Sequence, residues 1–155
     1  MRARQPDREG HVESHGTRIF WEEHGEGART VLFVPPWQIV DSRVWKMQVP
    51  YFARYFRALT FDPPGNGRSD RPATGYDHDR MADHARAVLD AAGAERASLV
   101  CLSRGTWTGA ILAAHHAERV ERLSAKLDGN WLRWNSASGR RQKSSCSLCA
   151  LLSSA

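Results

Sequence analysis

The sequence has only three cysteines among 155 residues, too few and too unevenly placed for a disulfide framework. No apolar run approaches the roughly 20 residues that a membrane-spanning helix needs. The opening MRARQPDREG is polar and lacks the apolar centre of a secretory signal. These absences lead us to expect a cytoplasmic protein with no membrane partner. Acidic residues are also missing after Asp128, while Arg133, Arg140, Arg141 and Lys143 follow it. The formal charge of +5 and the pI near 9.6 therefore belong to a tail. With those four residues set aside, 18 basic groups face 17 acidic ones, a net of +1. A nearly neutral body with a short basic tail does not point to nucleic acid as a partner. Cys146 and Cys149 form a C-x-x-C, but no strand-to-helix context makes it a redox pair and no second ligand pair makes it a zinc site. Leu152 stands where a prenylation box would need cysteine. Neither a metal nor an organic cofactor is implied.

What is present is a chain of globular composition, 41% hydrophobic and 25% charged, long enough for one domain with a real core. Residues 11–25 alternate loosely around His15-Gly16, which predicts a hairpin at a sheet edge. Residues 31–34 are a short continuous apolar run, the signature of a strand buried on both faces, and Pro35-Pro36 ends it. Val44, Met47, Tyr51 and Phe52 fall at helical spacing across residues 44–55, with Pro50 set to kink or divide that helix. A second buried strand at 58–61 closes on Asp62-Pro63-Pro64-Gly65.

Asp77 is placed to cap a helix whose buried stripe is Met81, Ala85, Val88, Leu89 and Ala92, with Gly93 as its stop. A third strand at 99–102 runs into a helix from Ser103 or Arg104 to about Ala117, with Ile111 and Ala114 as core candidates. Residues 120–123 can start a fourth strand. Apolar strands alternating with helices predict an α/β fold with a mostly parallel sheet and flanking helices. Ligands in such sheets lie beyond the carboxyl ends of the strands. Loops 35–42 and 62–75 and the turn at Ser103 share that rim. After Leu123 the punctuation fails, and residues 124–155 read as an irregular or disordered tail.

The turn Cys101-Leu102-Ser103-Arg104-Gly105 follows the logic of G-x-S-x-G, with cysteine in place of the first glycine. A serine hydroxyl is a poor nucleophile unless a turn exposes it, a base stands within hydrogen-bond reach and N–H groups face the developing oxyanion. A strand-to-helix turn provides the exposure and the N–H groups. The same position also suits a serine that simply caps the helix, so both readings stand at this point.

The wider pattern resembles the N-terminal half of the α/β-hydrolase family, in its serine-nucleophile branch. The resemblance rests on a hairpin, a buried strand ending in Pro35-Pro36-Trp37, the loop DPPGNGRSD, and the serine turn. Asp62, Gly65, Gly67, Ser69 and Asp70 match the family's D-x-x-G-x-G-x-S-D, and AHHAERVERL resembles its lead into the next strand. The match covers about residues 11–123. It implies a serine hydrolase of ester, amide or related acyl substrates, with Ser103 as nucleophile and an acyl-enzyme intermediate. The implied oxyanion donors are the backbone N–H of Arg104 and that of Trp37, with Gln38 in reserve because Pro35 and Pro36 have no N–H. The loop 62–70 lacks the phosphate-binding glycine patterns and is expected to be structural.

The same resemblance requires an acid and then a histidine after the serine, from later strands. His115 and His116 are the only histidines after Ser103, and on a continuous helix His115 stands about 18 Å along the axis. His11, His15, His24, His78 and His84 match no base position and read as surface or cap residues. Glu118 and Glu121 sit at the far helix end, and Asp128 lies past the recognisable region. The chain thus reads as a domain truncated before its triad acid and histidine and inactive as it stands, its tail out of frame. The alternative is a non-catalytic interaction module using an exposed sheet edge or the basic tail. The pattern fixes neither the substrate nor the oligomeric state.

Overall fold

A computed structural model describes residues 4–127, 130–135 and 141–144. Strands β1 (Arg8–Ser14) and β2 (Thr17–His24) form the expected hairpin, its register closing on Ser14 against Thr17. His15 and Gly16 both take positive φ, 52° and 70°, the backbone that lets a two-residue turn follow the twist of its strands. The centre of the sheet is parallel: β3 (Thr30–Val34), β4 (Arg57–Phe61), β5 (Ala97–Leu102) and β6 (Val120–Leu127). With β7 (Asn130–Asn135) and β8 (Arg141–Ser144) antiparallel beyond β6, the eight strands run in the order β1-β2-β4-β3-β5-β6-β7-β8.

All residues of β3 are buried, and the pleat divides them between two apolar layers. Leu32 and Val34 pack with Leu59, Phe61, Leu99 and helix α2 (His78–Ala91), while Val31 and Phe33 meet Trp45, Val49, Phe52 and Phe56. Asp77 caps α2 as expected, its carboxylate accepting the Arg80 N–H at 2.9 Å. Gly93, with φ of 68°, follows the helix. The fold class therefore agrees with the strand–helix alternation.

Three expectations need correction. Pro50 divides the helix of residues 44–55 as expected, but the face drawn for that helix is not the buried one. A 3₁₀ turn at Ser42–Trp45 gives way to the single turn α1 (Val49–Phe52), because Pro50 cannot donate into a continuous helix and fits only near a fresh start. That restart moves the inner face to Trp45, Val49, Phe52 and Phe56 and leaves Val44, Met47 and Tyr51 exposed. In helix α3 (Gly105–His115) the buried positions are Gly105, Thr106, Thr108, Gly109 and Leu112. Ile111 is half-buried against the core and Ala114 is exposed, since the face of small residues is the one that lets the helix lie close to the sheet. Finally, β6 does not stop at Leu123. It pairs with β5 as far as Lys126 opposite Leu102, and β7 and β8 follow where irregular chain was expected. Residues 128–129, 136–140 and 145–155, with Asp128, Arg140, Cys146, Cys149 and Leu152, lie outside the described residues. Among the described residues no helix is long and apolar enough to cross a membrane.

Candidate active site

Strand β5 delivers Ser103 to the carboxyl end of the sheet, and helix α3 starts two residues later. Ser103 has φ of 54°, one of two non-glycine residues with positive φ among the described residues. For a serine that conformation is unfavourable by about 1–3 kcal/mol and persists only where the surroundings enforce it. Here they do: the Ser103 N–H donates to the Lys126 carbonyl at 2.8 Å, and the Ser103 carbonyl accepts the Thr106 N–H at 2.9 Å. An N-cap residue takes extended backbone and accepts helix N–H groups through its side chain. Ser103 has the wrong φ for that, and Arg104 occupies the cap position without a side-chain cap bond. The capping reading is thereby removed.

The small residues around the turn have identifiable causes. A Cβ on Gly105 would stand 2.6 Å from the Pro35 carbonyl oxygen and 3.0 Å from that of Val34, so the start of α3 needs glycine to reach the end of β3. A Cβ on Gly109 would lie 2.5 Å from Cys101 Sγ. Cysteine at 101, in the place of the pattern's first glycine, is accommodated because the facing helix position has no side chain. Its thiol is buried, and burial pushes its pKa above the ordinary range, so it is a packing group rather than a nucleophile.

The supposed oxyanion donors do not converge. The Arg104 N–H donates to the Pro36 carbonyl at 3.1 Å. In a trans peptide the C=O and N–H point in opposite directions, so the Trp37 N–H, in that same peptide unit, is turned away from Arg104. Gln38, whose backbone N–H is the reserve donor, is anchored through its other groups: its side-chain amide donates to the Tyr76 carbonyl and its backbone carbonyl accepts from the Asn66 side chain.

The loop after β4 is the expected structural wall. The buried Asp62 carboxylate accepts the Ser42 N–H at 2.7 Å and the Arg68 N–H at 2.9 Å. A Cβ on Gly67, where φ is 53°, would fall 2.0 Å from Asp62 Oδ2, which reserves that position for glycine. Ser69 Oγ donates to the Asp62 carbonyl and accepts the Phe20 N–H, and Asp70 receives the Arg18 N–H and guanidinium. The motif thus locks the loop to β2 and supplies Pro63 to the wall of a shallow cleft.

That cleft is lined by Pro35, Trp37, Pro63, Met81, Arg104 and Gly105, and also by His78. His78 is the residue that reasoning from sequence missed. It was placed on the helix surface, whereas the first turn of α2 opens onto the same rim and the His78 Nε2 lies 3.3 Å from Arg104 Nη2. The signal was Asp77: a cap fixes where a helix begins, and helices that follow parallel strands begin at the ligand-binding rim.

All seven histidines are among the described residues, and none is hydrogen-bonded to Ser103. His11 meets the Arg68 carbonyl, His15 meets Asp83, His24 faces Glu22 and His116 faces Glu118. His115 ends α3, and His84 lies on the buried face of α2. Glu118 faces His116, which is not hydrogen-bonded to Ser103, and Glu121 meets Arg122 and the Ser98 hydroxyl. Among the described residues no group of three or more histidine, cysteine or acidic residues is arranged to hold a metal ion.

With this geometry in view, a family profile described as the alpha/beta hydrolase fold matches residues 24–133. The AB hydrolase superfamily protein YisY of Bacillus subtilis is 36% identical over 117 residues, covering 72% of this chain and 41% of its own length. A 2-hydroxymuconate semialdehyde hydrolase of Pseudomonas sp. is 42% identical over 80 residues, covering 51% of this chain and 28% of the relative. The crystal structure of an enol-lactonase from Burkholderia xenovorans superposes with a TM-score of 0.68 at 30% identity, over 74% of this chain and 45% of that one. The chain spans less than half the length of each of these relatives.

Proposed function

The chain belongs to the alpha/beta hydrolase fold family, and from that premise we propose that it is a serine hydrolase scaffold for ester, amide or related acyl substrates, with Ser103 as nucleophile. The observation that carries this reading is the φ of 54° at Ser103, a strained backbone held by the Lys126 and Thr106 hydrogen bonds next to Arg104 and Gly105, which line the cleft. In the reaction, Ser103 Oγ would form a bond to the acyl carbon as its proton passes to a base. The leaving group would depart with a proton, and water would then release the acid and restore the hydroxyl. Support for the acyl class comes from the relatives, among them a semialdehyde hydrolase and an enol-lactonase.

Among the described residues no imidazole is hydrogen-bonded to Ser103 to take its proton. Slow or no turnover by this chain alone is the outcome this reading expects. The experiment is labelling with a fluorophosphonate, read by intact mass and peptide mapping, beside hydrolysis of p-nitrophenyl butyrate. Adduct on Ser103, absent in Ser103→Ala, with hydrolysis near the uncatalysed rate, is the expected result. Turnover at the level of a competent esterase that disappears in Ser103→Ala would overturn the claim of low activity. Labelling elsewhere would overturn Ser103 as nucleophile.

A second reading, a non-catalytic interaction module, is favoured by exposed Ile39, Met47 and Tyr55, which are 72%, 56% and 53% accessible. It requires saturable partner binding that Ser103→Ala leaves intact.

A further inference from the structure

The residue after the proposed nucleophile carries a guanidinium with no counter-ion among the described residues. Arg18, Arg57, Arg68, Arg80, Arg86 and Arg119 each reach a carboxylate. Arg104 makes no ion pair among the described residues. Its Nη2 meets the imidazole of His78 at 3.3 Å, and its Cζ lies 5.8 Å from the centre of the Trp37 ring. Of the described acids on the rim loops, Asp41 accepts the Arg43 N–H and Asp70 holds Arg18. Asp77 accepts the Arg80 N–H, and Asp62 is buried on the Ser42 and Arg68 N–H groups. A guanidinium has five N–H donors in a planar fork that matches a carboxylate edge. Here one side is held by an imidazole acceptor and one face by an indole, which fixes the fork without neutralising it. The apolar Pro35, Pro63 and Met81 that share the cleft strengthen any charge-assisted hydrogen bond made there.

We propose that the Arg104 side chain, held by His78 and Trp37, is a carboxylate-recognising subsite that selects acyl substrates carrying an anionic group near the reacting carbonyl. The inference rests on the reading of Ser103 as nucleophile, because it is the adjacency of Arg104 to Ser103 that brings a bound carboxylate and the scissile bond together. His78 and Trp37 act as positioning residues, and the guanidinium makes the contact.

The test is a two-dimensional amide NMR titration of the full chain with monomethyl glutarate and with its neutral counterpart, in which the free carboxyl is a primary amide. The carboxylate should bind about tenfold more tightly than the amide, with shifts at the Arg104 and Trp37 resonances. In Arg104→Gln that preference should fall to near one, while Arg54→Gln, which removes the same charge from an exposed position outside the cleft, should keep it. Equal affinity of the two esters for the unsubstituted chain, or a preference that survives Arg104→Gln, would overturn the subsite. The fluorophosphonate experiment separates this from failure of the parent reading. An Arg104-dependent preference without Ser103 labelling would remove the nucleophile and, with it, the proposed substrate selection. Ser103 labelling with no preference removes the subsite alone.

Discussion

The carbonyl of Pro36 accepts the backbone N–H of Arg104 at 3.1 Å. This one contact decides the state of the proposed oxyanion site, because the Pro36 carbonyl and the Trp37 N–H belong to the same planar unit and face opposite ways. For both N–H groups to meet one oxygen, the Pro36–Trp37 peptide must turn over, changing ψ of Pro36 and φ of Trp37. The proline ring leaves both of those torsions free.

The first prediction concerns that turn. A covalent fluorophosphonate on Ser103 places an oxygen where the Pro36 carbonyl now sits, and the Arg104 and Trp37 amide protons should shift downfield together. The measurement is amide NMR of the labelled and unlabelled chain. If only Arg104 moves, the hole works with one donor, and reactivity should be lower by about 10²–10³ than with two. If neither moves, the assignment of these donors is wrong.

Cys101 and Gly109 form a complementary pair and give a second prediction. Gly109→Ala would gain about 1 kcal/mol of helix propensity, yet its Cβ would meet Cys101 Sγ at 2.5 Å in a fully packed layer. Overpacking of this kind is unfavourable by about 1–3 kcal/mol, so the single substitution should lower stability to urea. Cys101→Gly removes the nearer obstruction and leaves Leu123 Cδ1 at 3.0 Å, so in that background Gly109→Ala should be far less destabilising. A double-mutant cycle reads the coupling directly, and strict additivity would refute the pairing.

How much of this the sequence discloses depends on which signals survive folding. The buried strands at 31–34, 58–61 and 99–102 are legible because two-sided burial demands continuous apolar runs, and the positions of Asp77 and Gly93 punctuate α2 correctly. The Ser103 turn is legible because only small neighbours let helix and strand close on it. Helix α3 shows no apolar period, since it presents Gly105, Thr108 and Gly109 to the sheet, and so Ala114 is wrongly drawn inward. The stretch 44–55 misleads because Pro50 resets the helical phase. His78 and the orientation of the Pro36 carbonyl are set by how separate segments meet at the rim, and no local pattern encodes that.

His84 supplies a pH prediction. It is 1% accessible, its Nδ1 has no hydrogen-bond partner, and burial, reinforced by neighbouring His15, pushes its pKa down to about 4. The unfolded chain, with an ordinary histidine near 6.5, therefore binds the proton more readily than the folded one between pH 6.5 and 4. Stability present above that window should fall as pH drops through it, by roughly 3 kcal/mol in all, and this contribution should level off below pH 4. Urea midpoints measured across pH 4 to 7 check the slope. His84→Leu should flatten it, and an unchanged slope in that variant would assign the effect to other groups.

The D-x-x-G-x-G-x-S-D loop ends in two adjacent residues that both hold it to β2, and their contributions should differ widely. Ser69 Oγ is buried, donates to the Asp62 carbonyl at 2.7 Å and accepts the Phe20 N–H at 2.8 Å. Ser69→Ala would leave both backbone groups without that partner where water has little access, which should lower stability by about 1–3 kcal/mol. Asp70 bonds Arg18 through three side-chain contacts, but both side chains stand in solvent, where screening and ordering offset the attraction. The backbone pairing of Asp70 with the Arg18 carbonyl survives any side-chain change. Asp70→Asn should therefore shift the urea midpoint far less than Ser69→Ala, and still less in high salt. Equal losses would mean that the ion pair, and not the buried hydroxyl, fixes the loop.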